Sequence, residues 1–204
     1  AGTVATEAAG DTLANSSGSA AGAHDLVQLT TRYDPGWLIL VMHFARPVGT
    51  IGSGQGLFGV VDLDVDESSS TGAAPLINGF GGSAQQGSDN RLDLFSTATE
   101  SVVLLTALLT DTLTHRVPFA IEGDSVIVRI PLEKLKGDDG RLSISAVFGT
   151  QDRPTDIAPN AGVILARPTT SLLADRNPIL LRFGDAPLAR PLASWPPASD
   201  FRRH

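Results

Sequence analysis

The sequence predicts an all-β protein, an antiparallel β-sandwich of the jelly-roll type with about nine or ten strands. Short apolar or alternating runs recur along the whole chain, and 21 glycines and 13 prolines are spread between them. Only one segment has the clear pattern of a helical turn, and for residues 102–109 a helix is the alternative to a strand. Short strands at regular intervals, separated by turn residues, are typical of sandwiches and jelly rolls.

The first predicted strands form a hairpin. Residues 25–33 and 37–46 flank Asp34-Pro35-Gly36, a strong turn sequence. The second run is apolar on both faces over most of its length, which favours a strand in the interior of a sheet. Residues 57–64 are the third strand, and a polar loop follows over residues 65–88. Loops of this length are usually functional, metal-bound or disordered.

The second half of the chain continues the same pattern. Glu122-Gly123-Asp124 predicts a tight turn between two runs, and Pro131 opens a single helical turn over residues 131–136. Residues 150–161 are predicted to be a polar loop in which Asp156 and Asn160 serve turns, with a second cation as the alternative. The remaining predicted strands are residues 91–97, 102–109, 116–121, 125–130, 141–149, 162–166 and 179–183.

The predicted organisation is one domain with two arms. Residues 1–23 are small and polar and read as an N-terminal arm, residues 24–183 form the sandwich, and residues 184–204 are a Pro-rich C-terminal tail. Trp195 lies in that tail, where a lone tryptophan usually anchors a segment, so we expect it to bind a partner protein or its own domain. No apolar run approaches the roughly 20 residues of a membrane-spanning helix.

Charge and composition exclude several classes of protein. The net charge is −7 and the chain has no cysteine, so disulfides and thiolate chemistry are excluded and a general affinity for nucleic acid is not expected. The start at Ala1-Gly2-Thr3, without Met, indicates a processed N-terminus. We therefore expect an exported protein, extracellular or periplasmic.

The strongest local pattern is a set of aspartates at the end of the third strand. Asp62, Asp64 and Asp66 alternate, so an extended strand would place all three on one face, and Asp89 returns after the long loop. Clustered carboxylates repel one another unless a cation or an arginine lies among them, and Ca²⁺ prefers hard oxygen ligands. The sequence thus predicts a structural calcium site at these four residues, with a solvated strand end as the alternative.

These residues also carry a family resemblance. The run from Asp62 to Asp66, then Thr71-Gly72, then Gly87-Ser88-Asp89, resembles secreted bacterial β-sandwich modules of the DOMON type and of carbohydrate-binding module family 9. The resemblance extends over about residues 25–165. It implies a jelly-roll-like sandwich, calcium near the aspartates, and binding of a ligand or partner without catalysis.

Other motifs are weaker. Tyr33 and Trp37 flank the first hairpin turn and are candidates for an exposed ligand-binding platform, with core packing as the alternative. The glycines from Gly54 to Gly59 match G-x-G-x-x-G but enter a strand rather than a helix, which argues against a nucleotide site. No histidine pair has zinc-ligand spacing, and His43 in an apolar strand is interpreted as a hydrogen-bonded structural residue.

Three functional interpretations remain open. The first is a non-catalytic, calcium-stabilised structural subunit of a fibre, sheath or surface complex that assembles through its arms, as a homo-oligomer or larger assembly. The second is an accessory module that binds a carbohydrate or another ligand, which exposed aromatic side chains beside the calcium loop would favour. The third is a secreted hydrolase, which requires paired carboxylates in a cleft or a Ser–His contact.

Overall fold

The protein, described here from a computed structural model, is almost entirely antiparallel β-sheet. The structure describes residues 2–13, 24–49, 56–95, 100–108, 113–150 and 153–167. Helical structure is limited there to 3₁₀ turns, such as Leu76–Phe80 in the long loop and Leu132–Lys134 at the predicted helical turn. The predicted all-β class is confirmed.

Within the described ranges, eleven strands make up the sheet. In chain order, β1 to β11 are Thr3–Thr6, Leu26–Asp34, Trp37–Phe44, Phe58–Asp64, Asn90–Asp93, Val102–Ala107, Thr114–Glu122, Ser125–Pro131, Leu142–Thr150, Arg153–Ala158 and Ile164–Ala166. Ten of them lie in the order β1-β2-β3-β8-β7-β6-β5-β4-β9-β10, and β11 pairs with β9. Both predicted hairpins form, as β2–β3 and β7–β8. The apolar strand β3 lies between β2 and β8, as predicted for an interior strand.

Strand β7 joins the two layers of the sandwich. Its first part, up to Pro118, pairs with β6, and its second part, from Phe119, pairs with β8. The change of partner falls at a proline, which lacks the N–H that an uninterrupted ladder requires. One sheet thus curls into two facing layers.

The core lies between these layers. Side chains at alternate positions of β3 and β8 are fully buried, and those of β4, β5 and β9 face them from the other layer. The rings of Phe44 on β3 and Phe148 on β9 meet edge to face with centroids 5.2 Å apart. This contact shows that inward-facing residues of both layers share one apolar core.

Two strands differ from the sequence expectations. Thr3–Thr6, inside the predicted N-terminal arm, form β1 and pair with β2. Arg153–Ala158, predicted as loop, form β10. Its polar composition explains why β10 was not predicted as a strand. The ladder of β10 to β9 shifts register between Pro154 and Asp156, which accommodates the proline. The buried side chain of Asp156 accepts a bond from Leu26 N in β2, and that of Thr155 donates to the carbonyl oxygen of His24, just before β2.

The chain divides into two units, residues 1–169 and 170–204. The second unit lies outside the described residues, as do the predicted strand at 179–183, the Pro-rich tail and Trp195. In the described part of the chain, no helix has the length and apolar character needed to cross a membrane.

Candidate metal centre

The end of strand β4 positions the first acidic side chains. Leu63 points into the core and is fully buried, so Asp62 and Asp64 on either side of it point to the opposite face of the sheet. The long loop folds over that face and leaves each of the two carboxylates only 1% exposed. Burying ionised groups this deeply is costly unless they are paired or neutralised.

Three of the four predicted residues converge. Asp64, Asp66 and Asp89 each offer a carboxylate oxygen within 4.8 Å of the others. Asp66 lies just beyond the strand and is exposed, whereas Asp89 lies just before β5 and is 2% exposed. The backbone bond from Asp89 N to Leu63 O, 2.9 Å long, fixes the returning chain beside β4.

Backbone N–H groups hold these carboxylates in place. Ser68 N donates to Asp64 Oδ1 at 3.2 Å and to Asp66 Oδ1 at 3.0 Å. Gly87 N donates to Asp64 Oδ2 at 3.2 Å, and Val65 N donates to Asp89 Oδ2 at 2.9 Å. These donors orient the carboxylates, but they do not neutralise three negative charges.

One oxygen of the cluster has no partner. Asp89 Oδ1 is closed to solvent and accepts no hydrogen bond from any described residue. Burial raises the pKa of Asp89, and the nearby charge of Asp66 raises it further. The pKa of Asp64 is likewise raised, first by burial and then by its carboxylate neighbours. An unpartnered buried oxygen beside two further carboxylates is the kind of donor set that a hard cation such as Ca²⁺ binds.

Close backbone packing makes this convergence possible. A Cβ atom on Gly87 would lie 1.8 Å from the carbonyl oxygen of Thr71, so only glycine fits there. Next to it, Ala73 and Ser88 exchange two backbone hydrogen bonds of 2.9 and 2.8 Å. The loop therefore closes on itself as a short two-stranded neck, which brings Asp89 back to Asp64.

Asp62 does not join the cluster, which corrects the predicted convergence of all four aspartates. Its Oδ1 accepts a charge-assisted bond of 2.7 Å from Nε of Arg91, and its Oδ2 accepts one of 2.7 Å from the backbone N of Leu76. Alternation along β4 does place Asp62 on the face of Asp64. However, the cross-strand partner of Asp62 on β5 is Arg91, which neutralises it without a metal.

The predicted aromatic platform does not form. Tyr33 is 2% exposed and its hydroxyl donates to Asp138 Oδ1, whereas Trp37 is 39% exposed. In the β2–β3 ladder Tyr33 pairs with buried Leu38, and Trp37 pairs with Asp34, the neighbour of Tyr33. Because adjacent residues in a strand face opposite ways, the two rings lie on opposite faces of the sheet.

A different aromatic surface lies beside the long loop. Phe58 and Phe95 meet edge to face, with ring centroids 5.5 Å apart. With Phe80 from the loop they line a mostly apolar groove of about 260 Å³ on the outer face of β4 and β9. Phe80 and Phe95 are 41% and 51% exposed. Sequence reasoning missed this groove because its rings come from three separate segments.

His43 makes the structural hydrogen bond expected of it. Its Nδ1 lies 2.7 Å from Oγ of Ser125, on the neighbouring strand, and this hydroxyl also bonds Asp124 Oδ1 at 2.8 Å. Ser125 is 8% exposed. The serine therefore lies between the histidine and the carboxylate, whereas in a catalytic triad the histidine lies between the other two.

No known family model matches the chain, and the search of curated proteins found no match.

Proposed function

We propose that this protein is an exported, non-catalytic β-sandwich module that acts as a structural subunit of a larger assembly. In this proposal, a calcium ion bound by Asp64, Asp66 and Asp89 holds the long loop closed. The unpartnered, buried Asp89 Oδ1, within a cluster of three carboxylates, supports this proposal most strongly. The resemblance to DOMON-type and family 9 modules supports the same reading.

The proposed ion has a structural role. Asp64 and Asp89 are buried, and of the three ligands only Asp66 is exposed. A catalytic metal keeps an open coordination position for substrate, whereas here two of the three carboxylates are covered by the loop. The ion joins the end of β4 to both ends of the loop, so its binding free energy stabilises the loop closure.

Assembly through the C-terminal tail is the more specific form of the proposal. At the N-terminus, Thr3–Thr6 already pair with β2 of their own sheet, so these four residues do not serve as a free arm that docks on a neighbouring subunit. The Pro-rich tail with Trp195 then carries the proposed contact with neighbouring subunits. A Trp side chain buries a large apolar area, which makes it a common anchor of protein interfaces.

Size-exclusion chromatography with light scattering tests the assembly. We compare the full chain, a chain that ends at residue 183, and the Trp195→Ala variant, with Trp37→Ala as a matched control. The proposal predicts that the full chain and Trp37→Ala form oligomers, that the truncated chain is monomeric, and that Trp195→Ala shifts toward monomer. A full chain that is monomeric at high concentration contradicts assembly.

A ligand-binding module is the second candidate, and the groove formed by Phe58, Phe80 and Phe95 favours it. Phe80 and Phe95 are exposed and Phe58 is half-buried, so aromatic rings do lie at the surface beside the long loop, which is the feature expected of this interpretation. A glycan array probed with the full chain tests it, with Phe95→Ala against Leu113→Ala, a similarly exposed residue outside the groove, as control. Binding that only Phe95→Ala removes supports this candidate, and no binding to any glycan contradicts its carbohydrate form.

The hydrolase interpretation is weaker. The Ser–His contact that this interpretation requires is present between Ser125 and His43. However, the serine is almost fully buried, and its hydroxyl donates its only proton to Asp124 Oδ1. A hydroxyl that donates to the carboxylate cannot at the same time donate to the imidazole. This arrangement favours a structural role in which Ser125 stabilises the β7–β8 turn. It therefore supports the proposal that the protein is not catalytic.

A further inference from the structure

Strand β3 is apolar on the outer side of the sandwich as well as in the core. Leu38, Leu40 and Met42 are fully buried, so the residues between them point to the outer face of the layer that contains β1, β2, β3, β8 and the second part of β7. On that face Ile39 is 5% exposed and Val41 is half-buried. Outward positions of a sandwich sheet are usually polar. A strand that is apolar on both faces therefore indicates that its outer side is also covered.

The strand register extends this apolar character across the layer. Val41 pairs with Thr30 on β2 and with Ile127 on β8. The ladders continue from these residues to Val4 on β1 and Ala120 on β7, and we call the five residues the outer row. Val4 is 56% exposed, and Ala120 is also exposed. Five uncharged, small or β-branched side chains in register form one contiguous strip, unlike single apolar residues scattered over a surface.

Charged side chains of opposite sign flank the outer row. On one side Arg32 and Arg129 are the cross-strand neighbours of Ile39, and on the other side Glu122 lies at the end of β7. Arg32 is held by Asp34 at 2.8 Å. None of the ion pairs among the described residues includes Arg129 or Glu122, and both side chains are exposed. Each of them can therefore pair with a group on a second molecule.

We propose that this outer face binds the same face of a second copy of the chain, across a two-fold axis that runs along the outer row. Such an axis lays the outer row of each copy against itself, as in the packing of two aligned sheets. It also reverses the strand direction, so Arg129 of one copy lies over the β7–β8 end of the second copy, where Glu122 has the opposite charge. A two-fold axis along β3 would place Arg129 opposite Arg32, and these charges repel.

The size of the face suits a contact that adds to another one. Five strands about 4.8 Å apart, each contributing about six residues of about 3.3 Å, give roughly 500 Å² per copy. On β3 these residues are Leu38 to His43, so Trp37 lies outside the contact. Two copies bury roughly 1,000 Å² together, the lower limit of a specific interface. The contact supplements the proposed assembly through the tail, and to that extent the inference rests on the proposed function. A tail contact raises the local concentration of the second face, so a weak interface becomes occupied.

Cross-linking of the full chain tests this face. Because the chain has no cysteine, Val41→Cys introduces a single thiol on the proposed axis. A short bis-maleimide cross-linker should convert Val41→Cys to covalent dimers. The control is Leu113→Cys, which lies just before β7 in the other layer and is exposed. It should give a several-fold lower yield of dimer, and equal yields from the two variants would overturn the proposal.

Charge reversal tests the proposed orientation. In the Val41→Cys protein, Arg129→Glu should lower the yield of dimer several-fold, because two acidic groups then face each other. Adding Glu122→Arg should restore the yield, since the pair forms again with its charges exchanged. Thermal melting checks that each variant is folded. A yield that Arg129→Glu leaves unchanged, or that the exchange does not restore in a folded protein, would overturn the proposal.

The outcomes separate this contact from the tail contact. If Val41→Cys gives no more dimer than Leu113→Cys while the full chain elutes as an oligomer that Trp195→Ala weakens, the face is overturned and the proposed function stands. If Val41→Cys forms dimers while the full chain elutes as a monomer, the face is supported and assembly through the tail is contradicted.

Discussion

Asp64 and Gly87 are hydrogen-bonded across the neck of the long loop: Gly87 N donates to Asp64 Oδ2 at 3.2 Å, although 23 positions separate the two residues. The bond places the backbone of the returning chain against the last residue of β4. It also requires a residue without a side chain, because any Cβ at position 87 would overlap the carbonyl oxygen of Thr71. Loop closure and the aspartate cluster therefore depend on the same glycine.

Gly87→Ala should destabilise the fold strongly. The new methyl group meets backbone 1.8 Å away, so the neck must open and the carboxylates must separate. We expect a loss of about 2–4 kcal/mol in the free energy of unfolding, measured by urea denaturation. Gly79→Ala is the matched control, because a Cβ there meets nothing within 4 Å and the change should cost less than about 0.5 kcal/mol. Equal effects of the two substitutions would contradict the steric account.

The buried pair of Asp62 and Arg91 predicts a second large effect. Arg91→Met leaves the carboxylate of Asp62 buried without its charge partner, and removal of one member of such a pair costs about 3–5 kcal/mol, somewhat less here because Arg91 is 23% exposed. The control is Arg32→Met, which breaks the exposed pair with Asp34 and should cost less than about 1 kcal/mol. Urea denaturation checks both. A cost below 1 kcal/mol for Arg91→Met would show that Asp62 is neutralised by another group.

The buried carboxyl group of Asp156 predicts an unusual pH dependence of stability when metal is absent. Burial, with the charges of Asp11 and Asp25, raises the pKa of Asp156 from 3.8 to about 7. The folded state thus binds a proton that the unfolded state releases between these two values, so this contribution is full below pH 3.8 and is lost as the pH rises through 7. The largest contribution of this proton to the free energy of unfolding is on the order of 4 kcal/mol.

Urea denaturation at pH 5 and pH 8 in chelator measures this contribution. The buried His24 acts in the opposite direction, because burial lowers its pKa, so the comparison must be made between proteins rather than within one. The loss of stability from pH 5 to pH 8 should be smaller in Asp156→Asn than in the wild type. Identical losses in the two proteins would contradict the assignment of the proton to Asp156.

Strands with a clear period could be predicted from the sequence. The alternation of Leu142, Ile144, Ala146 and Phe148 gave β9, and the turns at Asp34-Pro35-Gly36 and Glu122-Gly123-Asp124 gave both hairpins. The spacing of Asp64, Asp66 and Asp89 around a long loop was enough to propose their convergence. Local patterns of this kind depend on backbone geometry alone, which the sequence encodes directly.

Contacts between distant segments could not be predicted from the sequence. Asp62 follows the same alternation as Asp64, but its cross-strand neighbour Arg91 is known only once β4 and β5 are paired. Strand β10 is polar because Asp156 and Thr155 bond to residues near β2, about 130 positions away. Asp11, Asp25 and Asp156 also lie close together in the structure, and no local spacing relates these three residues.

Thermal melting of the full chain with calcium and with chelator, in the wild type and in Asp89→Asn, tests the central claim most directly. Asp89 is buried with one unpartnered oxygen, so calcium should raise the wild-type melting temperature by several degrees, and the shift should be clearly smaller in Asp89→Asn. Asp139→Asn should behave like the wild type. An equal calcium-induced shift in Asp89→Asn and the wild type, or no shift in either, would contradict a calcium-held loop.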